Sequence, residues 1–397
     1  MDASLRCELA SIIEFKLDPL DSKNNSAFLD CLVNVCKRKP DAQANARPLP
    51  INFVRKLLYF SLAYHEDLPN VVRVNRSHIR IKGSVSRGDL TIVGDLHGQY
   101  DDFAQIFQNP KLGGFPLAKK QFIFNGDMVD RGSMGVEIMI VLMFCNLLYP
   151  HSVHILRGNH ETRRMTEIYG FKQEVEAKYH PKLYNDFMTF FDALPIAAIV
   201  DDTVFVTHGG IGTAVMSLSI EDINRVNRFS EIVPNGVAWD LLWAGILLNL
   251  MSYCIDMLNY CYLWYLDPEP QAYQQSTATH RPSFAQIDTE AFLKRNKLSL
   301  LIRSHEYQES GFYVCHNNHC WTVFSAPNYC DTFGNTGAIV KFVQLDTLTA
   351  NIIKFHAANS VSPGVCNSFC VEAPENDDDE ATEIDECDEY SDDFELD

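Results

Sequence analysis

Positive charge is scarce in this chain: 33 Lys and Arg face 52 Asp and Glu, a formal net charge of −19 over 397 residues. That balance excludes the basic footprint of a nucleic-acid binder. Much of the excess is local, since Glu372 to Asp397 holds 15 acidic residues and no Lys or Arg, leaving about −4 for residues 1–371. No CxxC pair occurs among the 12 cysteines, whose scattered spacing speaks against a disulfide framework. The opening "MDASLRCELASIIEF" lacks the basic flank and long apolar run of a signal peptide. The expectation is a cytoplasmic or nuclear chain with reduced thiols and no nucleic acid partner. What is plentiful is core material, with 46% hydrophobic residues.

Residues 1–50 read as an N-terminal extension and linker, too short for the three or more repeats of a helical array. Residues 359–397 read as an acidic disordered tail, too charged to fold alone. Between them, over 51–358, a pattern of strand, polar loop and helix recurs. "LTIV" runs into Gly94-Asp95-Leu96-His97, "FIF" into Asn125-Gly126-Asp127, and "VHIL" into Arg157-Gly158-Asn159-His160-Glu161. "VFVT" ends in His208, "LSLLI" in Arg303-Ser304-His305 and "WTVF" in Ser325-Ala326-Pro327-Asn328-Tyr329. Loops at strand ends of an α/β sheet converge on one crevice, so these clusters are expected to form a single site.

The pooled ligand inventory is Asp95, His97, Asp127, Asn159, His208 and His305. Oxygen and imidazole ligands suit Mn, Fe or Zn. Two such ions roughly 3.5–4 Å apart activate water and clamp an in-line displacement at phosphorus. Arg131 and Arg157 lie in the same clusters and can fork onto phosphate. Any one cluster is ordinary loop composition; six in order are not.

In this order, "GDLHGQ", "GDMVDRG", "RGNHE", "HGG", "RSHE" and "SAPNYC" resemble the phosphoprotein phosphatase family of serine/threonine phosphatases, over roughly residues 50–355. "LPIAAIVDD" and "GNTGAIV" are similar to the type 1 branch, "IFNGDMVDRGS" and "ILRGNHET" to the type 5 and calcineurin branches, and no branch is assigned. The resemblance implies a metallophosphoesterase-like α/β fold of layered α+β kind, a central β-sandwich with flanking helices. It implies two divalent metal ions, Mn2+ first and Fe or Zn as alternatives. Asp95, His97 and Asp127 would hold one, with Asp127 bridging, and Asn159, His208 and His305 would complete the second. A metal-bridging hydroxide would attack phosphoserine or phosphothreonine directly. His160 would act as general acid, oriented by Asp130, with Arg131 and Asn159 on the phosphate and Tyr329 bordering it. Phosphoproteins are the implied substrates and regulatory subunits the implied partners. Cysteine-dependent chemistry needs an Arg six positions after a Cys, and none of the 12 has one. The rival functions are a small-molecule phosphoesterase, such as a dinucleotide polyphosphate hydrolase, and a catalytically weak phosphoprotein-binding scaffold.

Three stretches depart from the pattern or stand outside it. Gly245 to Leu266 is an apolar insertion with Asp256 as its one charge, long enough to span a bilayer. Because His208 and His305 flank it and must meet, no membrane span is expected; an added surface helix or an unremoved intervening sequence are the alternatives. "RPSFAQID" places Arg281 near a phosphate-contacting arginine of the family, but without its glycines and one residue short. "CHNNHC", Cys315 to Cys320, offers four zinc-type ligands, yet its β-rich flanks and Asn317-Asn318 predict a hairpin, and four ligands so close could hardly surround one ion.

Overall fold

Short runs of Val, Ile, Leu and Phe become strands buried on both faces, as parallel strands under helical cover must be. The computed structural model describes residues 22–37, 49–76, 78–81, 84–117, 120–247, 282–342 and 349–374. Its core is two six-stranded sheets. The first runs in the order Gly364–Glu372, Thr349–His356, Gly337–Phe342, Asp89–Val93, Lys120–Asn125, Val153–Leu156. Its last three strands are parallel, and parallel neighbours need crossovers. The helices Tyr100–Gln108 and Gly135–Leu148 supply them. Every residue of Gly135–Leu148 is buried, because it lies between the sheet and an outer helical layer.

The second sheet runs Val71–Val74, Ala197–Val200, Val204–Thr207, Leu300–Arg303, Cys320–Val323, Phe312–Cys315. Its inner residues Val206, Ile302 and Val323 pack with Ile92, Ile123 and Val340 of the first sheet. Its outer face is covered by Ile220–Asn224, Val237–Trp243 and Gln286–Asn296. The result is helix, sheet, sheet, helix: the layered β-sandwich that the motif order implies.

The edges are less simple than the sequence suggests. Within the first 50 residues, the helix Ser22–Cys36 buries Leu29, Leu32, Val33 and Cys36 in the outer core. Past residue 358, Gly364–Glu372 pairs along Thr349–His356 as an exposed edge strand. Backbone pairing needs no apolar payload, which is why hydrophobic pattern does not reveal it. Of the insertion, Gly245–Ile246 form a short parallel pair with Ser283–Phe284; residues 248–281, with Arg281, and the acidic residues 375–397 lie outside the described ones. No helix among the described residues is long and apolar enough to cross a membrane. Cys315–Cys320 closes the expected hairpin, with His316, Asn317 and Asn318 in the left-handed region.

His65 ties this fold to pH. Near the end of the helix Ile51–Glu66 it is 1% exposed, donates from Nδ1 to the Ser61 carbonyl and packs on Phe190. Burial, with the Arg228 charge adding to it, pushes its imidazole down to about 4. An unfolded His takes up its proton near 6.5. Stability is therefore unaffected above that pH and falls as pH drops from about 6.5 to 4. The urea midpoint is expected to be lower at pH 5 than at pH 7, with a smaller difference in His65→Asn.

Candidate active site

The strand ends deliver their polar clusters to one place because the loops are stitched to one another. Leu96 and His97 donate backbone N–H to the Asp127 carbonyl, Gly98 to Met128, and Gly132 to His97. Asp95 bridges to Phe324 across the two sheets, and the His305 N–H reaches Asp95 Oδ1 at 3.0 Å. Asn125 donates to the Thr207 carbonyl and Ser304 Oγ, each at 2.9 Å. The approach is tight enough that a Cβ on Gly126, whose φ is +85°, would lie 2.5 Å from Gly158 Cα. His97, Asp127, Asp130, Arg131 and His305 all adopt φ between +45° and +71°. Each such non-glycine residue costs on the order of 1 kcal/mol or more, a strain that surrounding structure must hold.

Glu161 does much of that holding. Its buried carboxylate accepts from the backbone N–H of Asp127, Met128 and Gly158 at 2.8, 2.9 and 2.9 Å. Glu161 stands within "RGNHE" with no expected role, because two of its three backbone partners, Asp127 and Met128, lie in another loop.

Asp127 Oδ2 is 3.3 Å from His208 Nε2 and 3.6 Å from His97 Nε2, which is also 3.6 Å from Asp95 Oδ2. Asn159 Oδ1 lies 2.9 Å from His208 Nε2 and 3.0 Å from His305 Nδ1. Two triads, His97–Asp127–His160 and Asp127–His208–His305, each gather their ligand atoms within 4.8 Å and share Asp127. Burial alone would push the Asp127 carboxyl up, but the imidazoles of His208, His160 and His97 hold it well below the usual carboxylate range.

These donors fit divalent cations. His208 Nδ1 is 2.8 Å from the Asn125 carbonyl and His97 Nδ1 3.2 Å from that of Val129. Both Nδ1 atoms must donate, so both Nε2 atoms present lone pairs to carboxylates and an amide. The Asn159 amide is satisfied by protein alone only if its nitrogen turns inward; with its oxygen inward, acceptors face acceptors. Asp95 Oδ2 is buried without a hydrogen-bond partner among the described residues. Lone pairs crowded in this way are what a cation satisfies.

His160 sits beside the shared carboxylate. Its Nδ1 donates to Asp130 Oδ2 at 2.7 Å, its backbone N–H to Asp127 Oδ1 at 2.9 Å, and Asp130 Oδ1 accepts from Phe171 N. The Arg131 guanidinium stacks 3.8 Å from the Tyr169 ring centroid, and that ring lies 5.2 Å from His160. The Tyr329 ring is 5.0 Å from His97. Asp95, His97, Asp127, Asp130, Asn159, His160, His208 and His305 thus share one cluster, with Arg131 and Tyr329 at its margin.

Arg157 is different from expectation. It is fully buried and bonded to the carbonyls of Glu161, Arg228 and Ser230 and to Asp192 Oδ1. It anchors the strand end and is not placed for phosphate. Tyr169 and Trp243, whose ring is 5.7 Å from His305, are not among the expected site residues: neither follows a strand, and each arrives from a helix.

Comparison with known proteins agrees with this geometry. The family model for calcineurin-like phosphoesterases matches residues 89–309. The chain is 38% identical over 260 residues to serine/threonine-protein phosphatase T of Trypanosoma brucei brucei, covering 65% of this chain and 50% of that protein. It is 39% identical over 258 residues to human serine/threonine-protein phosphatase 5, covering 65% and 46%. The chain thus spans about half the length of these curated relatives. A solved Saccharomyces cerevisiae serine/threonine phosphatase superposes with a TM-score of 0.63 at 27% identity, covering 83% of this chain and 92% of that one.

Glu161→Ala removes two oxygens that together accept three backbone hydrogen bonds, each bond to a carboxylate worth about 1.5–3 kcal/mol. The expected result is a lower melting temperature and, by elemental analysis, less metal retained per chain than the parent protein retains.

Proposed function

The chain belongs to the calcineurin-like phosphoesterase family, and we propose that it is a metal-dependent protein serine/threonine phosphatase acting through the cluster around Asp127. The observation that carries this reading is the pair of triads sharing Asp127, in one of which Asp130 holds the His160 ring. The names of the relatives favour phosphoprotein substrates over small phosphoesters.

In this proposal, Asp95, His97 and Asp127 hold one divalent cation, and Asp127, Asn159, His208 and His305 a second. Mn2+ is the proposed ion, Fe and Zn being compatible with the same ligands. Such ions supply Lewis acidity toward phosphoryl oxygens and lower the pKa of a water that attacks phosphorus. Arg131 forks onto two phosphate oxygens, its plane fixed by stacking on Tyr169. Asn159 contacts the same phosphate and Tyr329 walls it. As the bond from phosphorus to the Ser or Thr oxygen breaks, His160 delivers a proton from Nε2 to the departing alkoxide. Asp130 keeps the Nδ1 proton and so holds the ring in register. The proposed catalytic domain begins near residue 51 and runs through the edge strand ending at Glu372. The free cysteines among the described residues favour a reducing compartment, cytoplasm or nucleus.

The test is phosphate release from a phosphoserine peptide by the whole chain, with and without Mn2+. Release should require Mn2+ and fall about 10²–10⁴-fold in kcat in His160→Ala. The loss should be much smaller on an aryl phosphate, whose leaving group departs without a proton. Binding without turnover would replace the enzyme with the scaffold reading, and preference for a dinucleotide polyphosphate with the small-molecule one.

A further inference from the structure

"CHNNHC" lies apart from the site just described, and the hairpin it forms sorts its four ligand types. Cys315 and Cys320 stand directly opposite one another on paired strands. His316 opens the turn with φ +51°. His319 stands outside the 4.8 Å group that the other three form, and its Nδ1 lies 3.0 Å from the Ser299 carbonyl. The objection that four ligands are too crowded for one ion thus falls away, because three remain. One sulfur from each cysteine and a ring nitrogen of His316 lie within 4.8 Å of one another.

The imidazole is set up as a ligand by its neighbours. His316 Nδ1 is 2.8 Å from Thr289 Oγ1, and that hydroxyl donates to the Ala285 carbonyl at 3.4 Å. In the tautomer whose Nδ1 donates to Thr289, the lone pair lies on Nε2. His316 is 9% exposed, and its Nε2 is a buried atom with no hydrogen-bond partner among the described residues. A metal-binding His whose other nitrogen is held by an oxygen of the protein is the usual arrangement.

We propose that Cys315, His316 and Cys320 form a second metal site, taking a thiophilic d10 cation of the zinc class. Two thiolates and one neutral imidazole are the donor set that such an ion prefers to oxygen-seeking ones. Binding expels one proton from each thiol. Cys320 is buried and Cys315 half-buried, so the ion enters from the Cys315 side, where water completes its four ligands. Zinc–sulfur bonds of about 2.3 Å place ligand atoms about 3.8 Å apart, a spacing that fits within the 4.8 Å group. The Phe284 ring lies 5.6 Å from His316, and a Cβ on Gly210 would lie 2.2 Å from the Phe284 ring. The ion would therefore brace a side chain that reaches back to the loop after His208.

The experiment titrates Co2+ into the whole chain, with Mn2+ already present and a phosphine reductant keeping thiols free. Thiolate-to-cobalt charge transfer gives a near-ultraviolet absorption that carboxylate and imidazole ligands do not. The band is expected at one equivalent, displaced by Zn2+, retained in His97→Asn, and lost in both Cys315→Ser and Cys320→Ser. Cys315 is half-buried, so its substitution spares the core and keeps the test valid should Cys320→Ser fold poorly. Absence of the band, or its persistence in Cys315→Ser, overturns the proposal whatever the phosphatase assay shows.

Discussion

Asp127 is the point on which the rest of the site hangs. Its carbonyl receives Leu96 and His97, its N–H is held by Glu161, its Oδ1 by the His160 backbone, and its Oδ2 faces His97 and His208. One residue thus ties three strand ends together through both main chain and side chain. A buried carboxylate is expensive unless it is paired and bonded, and every group that lowers that expense here is also one that chemistry at the site would use. Structure and reactivity draw on the same contacts.

The cluster is held in backbone conformations that these residues would not choose. Left-handed turns at His97, Asp127, Asp130, Arg131 and His305 aim side chains inward at a local cost. The two sheets make that cost bearable. Their inner faces share one continuous apolar layer, so no strand end can relax without disturbing both sheets. Precision at the site is thus set by packing well away from it.

Much of this was legible because apolar runs ending in polar clusters mark strand ends, and strand ends converge. The sandwich with its flanking helices, and the gathering of Asp95, Asp127, His208 and His305, follow from that pattern together with the motif order. Arg157 was misjudged because spacing shows that an arginine is near, not which way it points. Tyr169 and Glu161 are not legible for the converse reason: Tyr169 acts through Arg131 and His160, and Glu161 chiefly through Asp127 and Met128, all distant in sequence. The hairpin at Cys315–Cys320 was read correctly as a hairpin, while the sorting of its ligands depended on which way His319 turned.

The edge strand Gly364–Glu372 has no strand on its outer side among the described residues, and Phe369 and Val365 are exposed on it. Such an edge is a template for another chain. The sequence that follows it is the most acidic of the molecule, beginning at Glu372 itself. Two copies approaching edge to edge would each bring the exposed Glu372 to the contact, and the repulsion reaches only about 10 Å at 0.1 M salt. Pairing along this seam would therefore set like charge against like at Glu372, a repulsion that weakens as ionic strength rises.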